Sequence, residues 1–213
     1  MSSRIRIILT LVFGTLAAIP AALPAAAKPE VRVYLMRGFA DVSTGLDELA
    51  DKLKSRKIHA EITTYLAESD VAARALHDYK ANPGSKVVLI GHSLGANAAI
   101  HVAKSLQAEK VPVALIVVFS PAAANDVPGN VGKAVNYFQS DGIWNNPYSR
   151  GAGFHGTLRN VDLAKETQLH HLNLEKVPSL HAATIRDITG LASSPPPAQA
   201  TKPDAPAAAA GKN

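Results

Sequence analysis

The segment Lys86-Val87-Val88-Leu89-Ile90-Gly91-His92-Ser93-Leu94-Gly95-Ala96-Asn97-Ala98-Ala99-Ile100 constrains the fold more than any other part of this sequence. Its first half is a short apolar run rich in β-branched residues, the signature of a buried strand. Its second half is alanine-rich with helical periodicity. Between them lies Gly-x-Ser-x-Gly. A chain that passes so abruptly from strand to helix must turn sharply, and Gly91 and Gly95 allow a tight turn with the helix packed close to the strand. In this strand–turn–helix context Gly-x-Ser-x-Gly is read as a nucleophile elbow, which presents the hydroxyl of Ser93 above the edge of a sheet. The competing reading is a plain tight turn whose serine does nothing.

Around this segment, strand-like and helix-like stretches alternate. Val31–Met36 reads as a strand ending at Arg37-Gly38-Phe39. Leu46, Leu49, Ala50 and Leu53 then fall at i, i+3, i+4 and i+7, one apolar stripe of a helix. Thr44 with Asp47 three residues on suits a cap at its start. Residues 58–65 predict a second strand. Val71, Ala75, Leu76 and Tyr79 predict a helix after Ser69, closed by the turn Asn82-Pro83-Gly84. Val113–Phe119 is continuously apolar, as expected of a strand buried on both faces of a parallel sheet. Residues 134–138 and 157–163 are further strand candidates, and 141–156 reads as a loop. Pro178 fits the first turn of a final helix carrying Leu180, Ile185, Ile188 and Leu191. The order predicts an α/β fold, with a mostly parallel sheet covered by helices on both faces.

The two ends read differently. Residues 1–27 have the pattern of a secretory signal: Arg4 and Arg6, an apolar stretch from Ile7 to Leu23, then Ala25-Ala26-Ala27. This predicts an exported chain, periplasmic or secreted, with no stable membrane span after cleavage. An uncleaved anchor is the alternative reading. Residues 193–213 are rich in alanine and proline without large apolar side chains, the composition of a disordered tail. Residues 28–192 suit one domain, without room for a separate lid domain. The formal net charge of +5 falls by two once Arg4 and Arg6 are set aside, and the basic residues are scattered. That pattern argues against nucleic-acid binding. With no cysteine in the chain, disulfides, thiolate metal sites and a cysteine nucleophile are excluded.

The Gly91–Gly95 motif, the upstream strand ending in Arg37-Gly38-Phe39 and the late run Leu169-His170-His171-Leu172-Asn173-Leu174 together resemble an α/β-hydrolase of the lipase, esterase or thioesterase kind. The resemblance covers most of residues 31–192. It implies a serine nucleophile, an acid and a histidine in that chain order. Ser93 takes the first role. His171, in a loop between the last strand and the final helix, is the favoured base, with His181 and then His170 as alternates. Asp141, in the loop after the second strand beyond the elbow, is the favoured acid, with Asp126 as its alternate and Asp162 a distant third. Some lipases put the acid at the end of the preceding strand, where this chain has Ser120-Pro121. The resemblance also implies an oxyanion hole from the backbone N–H groups of Leu94 and Phe39, with Gly38 close behind. His92 reads as a packing or hydrogen-bonding neighbour.

Trp144, Tyr148, Arg150, Phe154 and His155 lie in the loop after Asp141. Trp144 and Tyr148 are candidate substrate contacts, although these aromatics would equally well cap the sheet edge. The leading expectation is a hydrolase of small-molecule esters or thioesters that needs no metal or organic cofactor. Acyl transfer to an alcohol and a non-catalytic binding protein on the same fold are its alternatives. A metal site built from His170, His171 and His181 lacks the usual ligand spacing.

Overall fold

A computed structural model describes residues 30–193; the expected leader over 1–27 lies outside them, as does the expected tail over 193–213 except Ser193, which instead ends the last helix. Within them the predicted alternation is present. The elements run β1 Val31–Arg37, α1 Thr44–Lys54, β2 His59–Thr64, α2 Glu68–Ala81, β3 Lys86–His92, α3 Leu94–Ala108, β4 Val113–Phe119, β5 Asp126–Val127, β6 Lys133–Phe138, β7 Ser149–Arg150, β8 Thr157–Asp162 and α4 Pro178–Ser193. Six strands form one sheet in the order β2-β1-β3-β4-β6-β8, with parallel pairing throughout. The loop expected over 141–156 contains one short ordered piece, β7, which pairs with β5 beside the main sheet.

Alternation along β3 explains why this strand has no polar face. Val87 and Leu89 point into a core formed with Val71, Ala75, Ala99, Val102 and Leu106 of α2 and α3. Val88 and Ile90 point the other way, against Leu46, Leu49 and Leu53 of α1 and Ile185 and Ile188 of α4. Both faces of the strand are dry, which requires an unbroken apolar run. Each fully buried leucine contributes about 1.5–3 kcal/mol through its burial. Truncating Leu49, which is fully buried, to alanine removes about 2–5 kcal/mol.

One local expectation changes. Helix α1 starts at Thr44 with Ser43 as its N-cap, and Ser43 makes no side-chain capping bond. Asp47 does not close a capping box. It turns to the guanidinium of Arg37, accepting from Nε at 3.1 Å and from Nη2. The pair ties the end of β1 to α1. The hydrogen bond to Arg37 holds the Asp47 carboxyl below the usual carboxylate range.

The strand order also locates the functional edge. From β1 the chain goes to β2 on one side and then crosses to β3 on the other. Ligands of open parallel sheets sit outside the carboxyl ends of the strands at such a reversal. Gly38 follows β1 there, and Ser93 follows β3.

Candidate active site

Ser93 occupies the turn between β3 and α3 with φ 56° and ψ −120°. A serine in this left-handed region costs about 1–3 kcal/mol, which the surrounding packing must sustain. Two glycines make that packing possible. A Cβ on Gly91 would lie 2.1 Å from the carbonyl oxygen of Gly95, and one on Gly95 would lie 2.0 Å from that of Met36. The elbow is therefore closed tightly onto both the helix and the neighbouring strand.

The Ser93 hydroxyl meets a histidine. His171 Nε2 lies 3.0 Å from Ser93 Oγ, although 78 residues separate the two in sequence. On its other side, His171 Nδ1 lies 2.7 Å from the hydroxyl of Ser120. If Nε2 accepts the Ser93 proton, Nδ1 must carry the hydrogen and donate to Ser120 Oγ. Ser120 is buried at the end of β4 in a left-handed conformation, φ 44°. Burial, followed by the neighbouring charge of His170, holds the His171 imidazole below its ordinary value. The indole of Trp144 stacks on the His171 ring, with centroids 3.7 Å apart and planes 10° from parallel.

The other sequence-derived candidates fall as follows. Asp141 is exposed and makes no hydrogen bond to His171, although both line a cavity of about 540 Å³ together with Gln139, Trp144, Leu169 and His170. The position facing His171 Nδ1 is filled instead by Ser120, because the end of β4 lies beside the histidine loop. Asp126 is occupied elsewhere: it accepts from Ser149 Oγ at 2.5 Å where β5 meets β7. Asp162 accepts from the backbone and hydroxyl of Ser140.

His181 is buried between α1 and α4. Its Nε2–H donates to the Glu175 carbonyl at 2.6 Å, and its Nδ1 faces Lys52 Nζ at 3.2 Å. Neither ring nitrogen is free for Ser93. His170 is exposed, its Nδ1 accepting from the Leu172 amide at 3.3 Å. The three late histidines thus serve separate surroundings and build no common metal site. Tyr148 is a core residue, not a substrate contact: it is buried, and its hydroxyl donates to the Ala96 carbonyl at 3.2 Å.

Trp144 does face the serine. A cavity of about 370 Å³ is lined by Phe39, Val42, Leu94, Ala122, Trp144 and Leu172 around Ser93, His92 and His171. Its walls are apolar, and Phe39, Val42 and Leu172 at its mouth are exposed. Leu94 opens α3, so its N–H has no intrahelical acceptor. Gly38 lies beneath the serine, where a Cβ would come within 2.9 Å of Ser93 Cβ. A cavity of about 430 Å³ at the opposite edge of the sheet contains Ser85 and His155. Ser85 Oγ is buried there without a hydrogen-bond partner, so no base activates it.

A model of the alpha/beta hydrolase family matches residues 13–210. The chain belongs to the alpha/beta hydrolase family. Several solved structures are similar to this hydrolase at low identity. A cutinase-like protein from Cryptococcus sp. is 13% identical, with a TM-score of 0.51 over 78% of this chain and 97% of that one. A gene product of Listeria innocua is 14% identical, with a TM-score of 0.50 over 73% and 92%. A thioesterase from the prodiginine biosynthetic pathway of Streptomyces coelicolor is 12% identical, with a TM-score of 0.45 over 87% and 97%. Among curated proteins, none matches this sequence.

Four residues of this hydrolase site escaped the sequence reading: Ser43, Ser120, Gln139 and Glu175. Only Ser120 carried a signal, its place at the end of the strand where a lipase-like resemblance offers one alternative position for the acid. Gln139 donates from Nε2 to the Leu169 carbonyl at 2.9 Å and so anchors the loop that carries His171.

Proposed function

We propose that this protein is a serine hydrolase that cleaves carboxylic esters or thioesters through an acyl-enzyme on Ser93. The observation that carries this reading is the 3.0 Å contact between Ser93 Oγ and His171 Nε2 in the lining of an apolar cavity. A serine hydroxyl becomes an effective nucleophile only with a base in hydrogen-bond reach. His171 Nε2 takes the Ser93 proton as Oγ forms its bond to the acyl carbon, and the carbonyl electron pair moves onto oxygen. The amides of Leu94 and Phe39 receive that oxyanion. On collapse the bond to the alcohol or thiol breaks, and the leaving group takes the proton back from His171. Water repeats the sequence and frees the acid.

Ser120 replaces the usual carboxylate as the partner of His171. A hydroxyl holds the imidazole in the correct tautomer but brings no negative charge to offset the imidazolium. The site therefore relies more heavily on the oxyanion amides and suits reactive esters of modest acyl size. The apolar lining from Phe39, Val42 and Leu172 fits the acyl chain. The leader-like residues 1–27 support an exported enzyme that acts outside the cytoplasm.

The test is a chain-length series of p-nitrophenyl esters together with fluorophosphonate labelling. Wild type is expected to hydrolyse the shorter esters and to label at Ser93, and Ser93→Ala to do neither. A wild-type protein that neither labels nor turns over esters would overturn the reading in favour of a binding protein on this fold. Faster turnover of long-chain emulsions than of short esters would overturn the substrate range.

A further inference from the structure

His92 precedes the nucleophile, is buried, and has both ring nitrogens engaged. Its Nε2 lies 2.8 Å from the backbone carbonyl of His171. A carbonyl only accepts, so Nε2 carries the hydrogen. Its Nδ1 is then a lone pair, and the hydroxyl of Ser43 donates to it at 2.7 Å. Ser43 Oγ in turn accepts from the Gly38 amide at 2.9 Å. The direction of every bond in this chain is fixed: Gly38 N–H to Ser43, Ser43 O–H to His92, His92 N–H to the carbonyl of His171. One end holds the loop after β1, where Gly38 sits under the serine and Phe39 follows it. The other end holds the loop that carries the base.

We propose that His92 is a positioning residue, a clamp that fixes the oxyanion loop at Gly38 and the base loop at His171 to one another through Ser43. It transfers no proton in the reaction, and its catalytic consequence rests on the function proposed above. Three further observations support the clamp. Both His92 and Ser43 are essentially inaccessible, so water cannot replace either bond. Ser43 sits at the N-cap of α1 without capping it, so its hydroxyl has this one task. Glu175 is fully buried with Oε2 3.9 Å from His92 Nε2, and neither of its oxygens has a hydrogen-bond partner. That leaves the His171 carbonyl as the hydrogen-bond acceptor at Nε2. Gly45, whose added Cβ would lie 2.3 Å from the Glu175 carbonyl, brings the start of α1 against this same segment.

The experiment is hydrogen–deuterium exchange on the full chain, comparing wild type with Ser43→Ala, His92→Asn and His92→Gln. A clamp requires the two loops to loosen together. Ser43→Ala, made next to the first loop, is expected to speed exchange in 168–174 as well as in 38–42, by about tenfold, the factor for roughly 1.4 kcal/mol of opening. His92→Asn withdraws the donor from the His171 carbonyl and is expected to do the same. His92→Gln places an amide donor where Nε2–H was and is expected to restore part of the protection of 168–174. Loosening confined to the loop beside the altered residue, or none in 168–174, overturns the clamp. Should His92→Asn fail to fold, Ser43→Ala decides the matter alone. In the active enzyme Ser43→Ala is further expected to lower kcat about tenfold with KM little changed. A wild type without esterase activity or fluorophosphonate labelling refutes the proposed function, while the exchange result still decides whether the loops are coupled.

Discussion

The turn that carries Ser93 and the loop that carries His171 meet at one hydrogen bond but are built in opposite ways. The turn is rigid and over-determined: β3 is buried on both faces and α3 packs its inner face against the sheet, and Gly91 and Gly95 leave no room for a side-chain atom. The loop between β8 and α4 is irregular and largely exposed. Internal turns such as the His170 amide to Asn173 Oδ1 shape it, and outside anchors reach its backbone from Gln139 and His92. Under the proposed function, a nucleophile in a strained conformation needs a stiff frame. A base need only be brought to the right place, and a few bonds from neighbouring elements suffice to do so.

The sharpest way to break this contrast is His171→Ala. Loss of a base that acts only in the transition state is expected to lower kcat/KM by about 10³–10⁴-fold, some 4–5.5 kcal/mol, with thermal melting close to wild type. His181→Ala should do the reverse, lowering the melting temperature and sparing kcat, because His181 ties α4 to the Glu175 carbonyl. Loss of activity on changing His181 but not His171 would exchange their roles. Next in size is Gly95→Ala, expected to cost at least about 3 kcal/mol in chemical denaturation. The new methyl would meet the backbone of β1, and neither element can retreat without opening the core. A folded, fully stable Gly95→Ala would show that the elbow is softer than its packing implies.

Acid should act on the loop's anchor before it acts on the turn. Burial pushes His92 down to about 4 and holds His171 and His181 below their ordinary value. The unfolded chain therefore binds protons that the folded one refuses, and stability present above pH ~6.5 is lost as the pH falls toward the folded value. For His92 the loss is about 2 kcal/mol at pH 5. Burial raises Glu175, which works in the opposite sense, its contribution declining as pH rises through its folded value. Comparing denaturation at pH 7 and pH 5 should show His92→Gln losing about 2 kcal/mol less than wild type. Equal losses in the two proteins would mean that His92 does not govern the acid response. The same depression of His171 places the acid limb of kcat/KM below the usual histidine range, so activity should persist below pH 6.5.

Smaller effects separate the partners of the base. Ser120→Ala is expected to lower kcat about tenfold, roughly 1.4 kcal/mol, by releasing the His171 tautomer. Asp141→Asn should change kcat less than about twofold. A larger loss for Asp141 than for Ser120 would restore the carboxylate triad expected from the sequence. Gln139→Ala, which frees one anchor of the loop, should cost only a few-fold in kcat, less than about 1 kcal/mol.

These differences also explain what could be read in advance. β3, the elbow and α3 were legible because each signal there is local: a two-faced apolar run, two glycines and an alanine-rich helix lie within fifteen residues of one another. His171 was legible as one of several late histidines, since a loop between a last strand and a final helix can reach the sheet edge. Its partner was not. Asp141 has the right residue type and loop, but residue type does not fix where an exposed side chain points. Ser120 was read only as the absence of an acid at the end of β4, which favoured Asp141, because a hydroxyl was not expected in that role. Gly38 and His92 were each marked as neighbours of the site, but the bonds that join them through Ser43 had no signal, because they depend on the pairing of β1 with β3.

By itself the sequence determined the alternation of strands and helices, the buried character of β3 and β4, and the turn that strains Ser93. Hydrophobic periodicity and glycine placement act over a few residues and so survive in one dimension. Only the tertiary structure decided which histidine meets the serine, which hydroxyl faces that histidine, and how two distant loops are joined. Those choices depend on distances of about 3 Å between groups scores of residues apart. Such distances are set by strand order and helix packing, which no short stretch of sequence encodes.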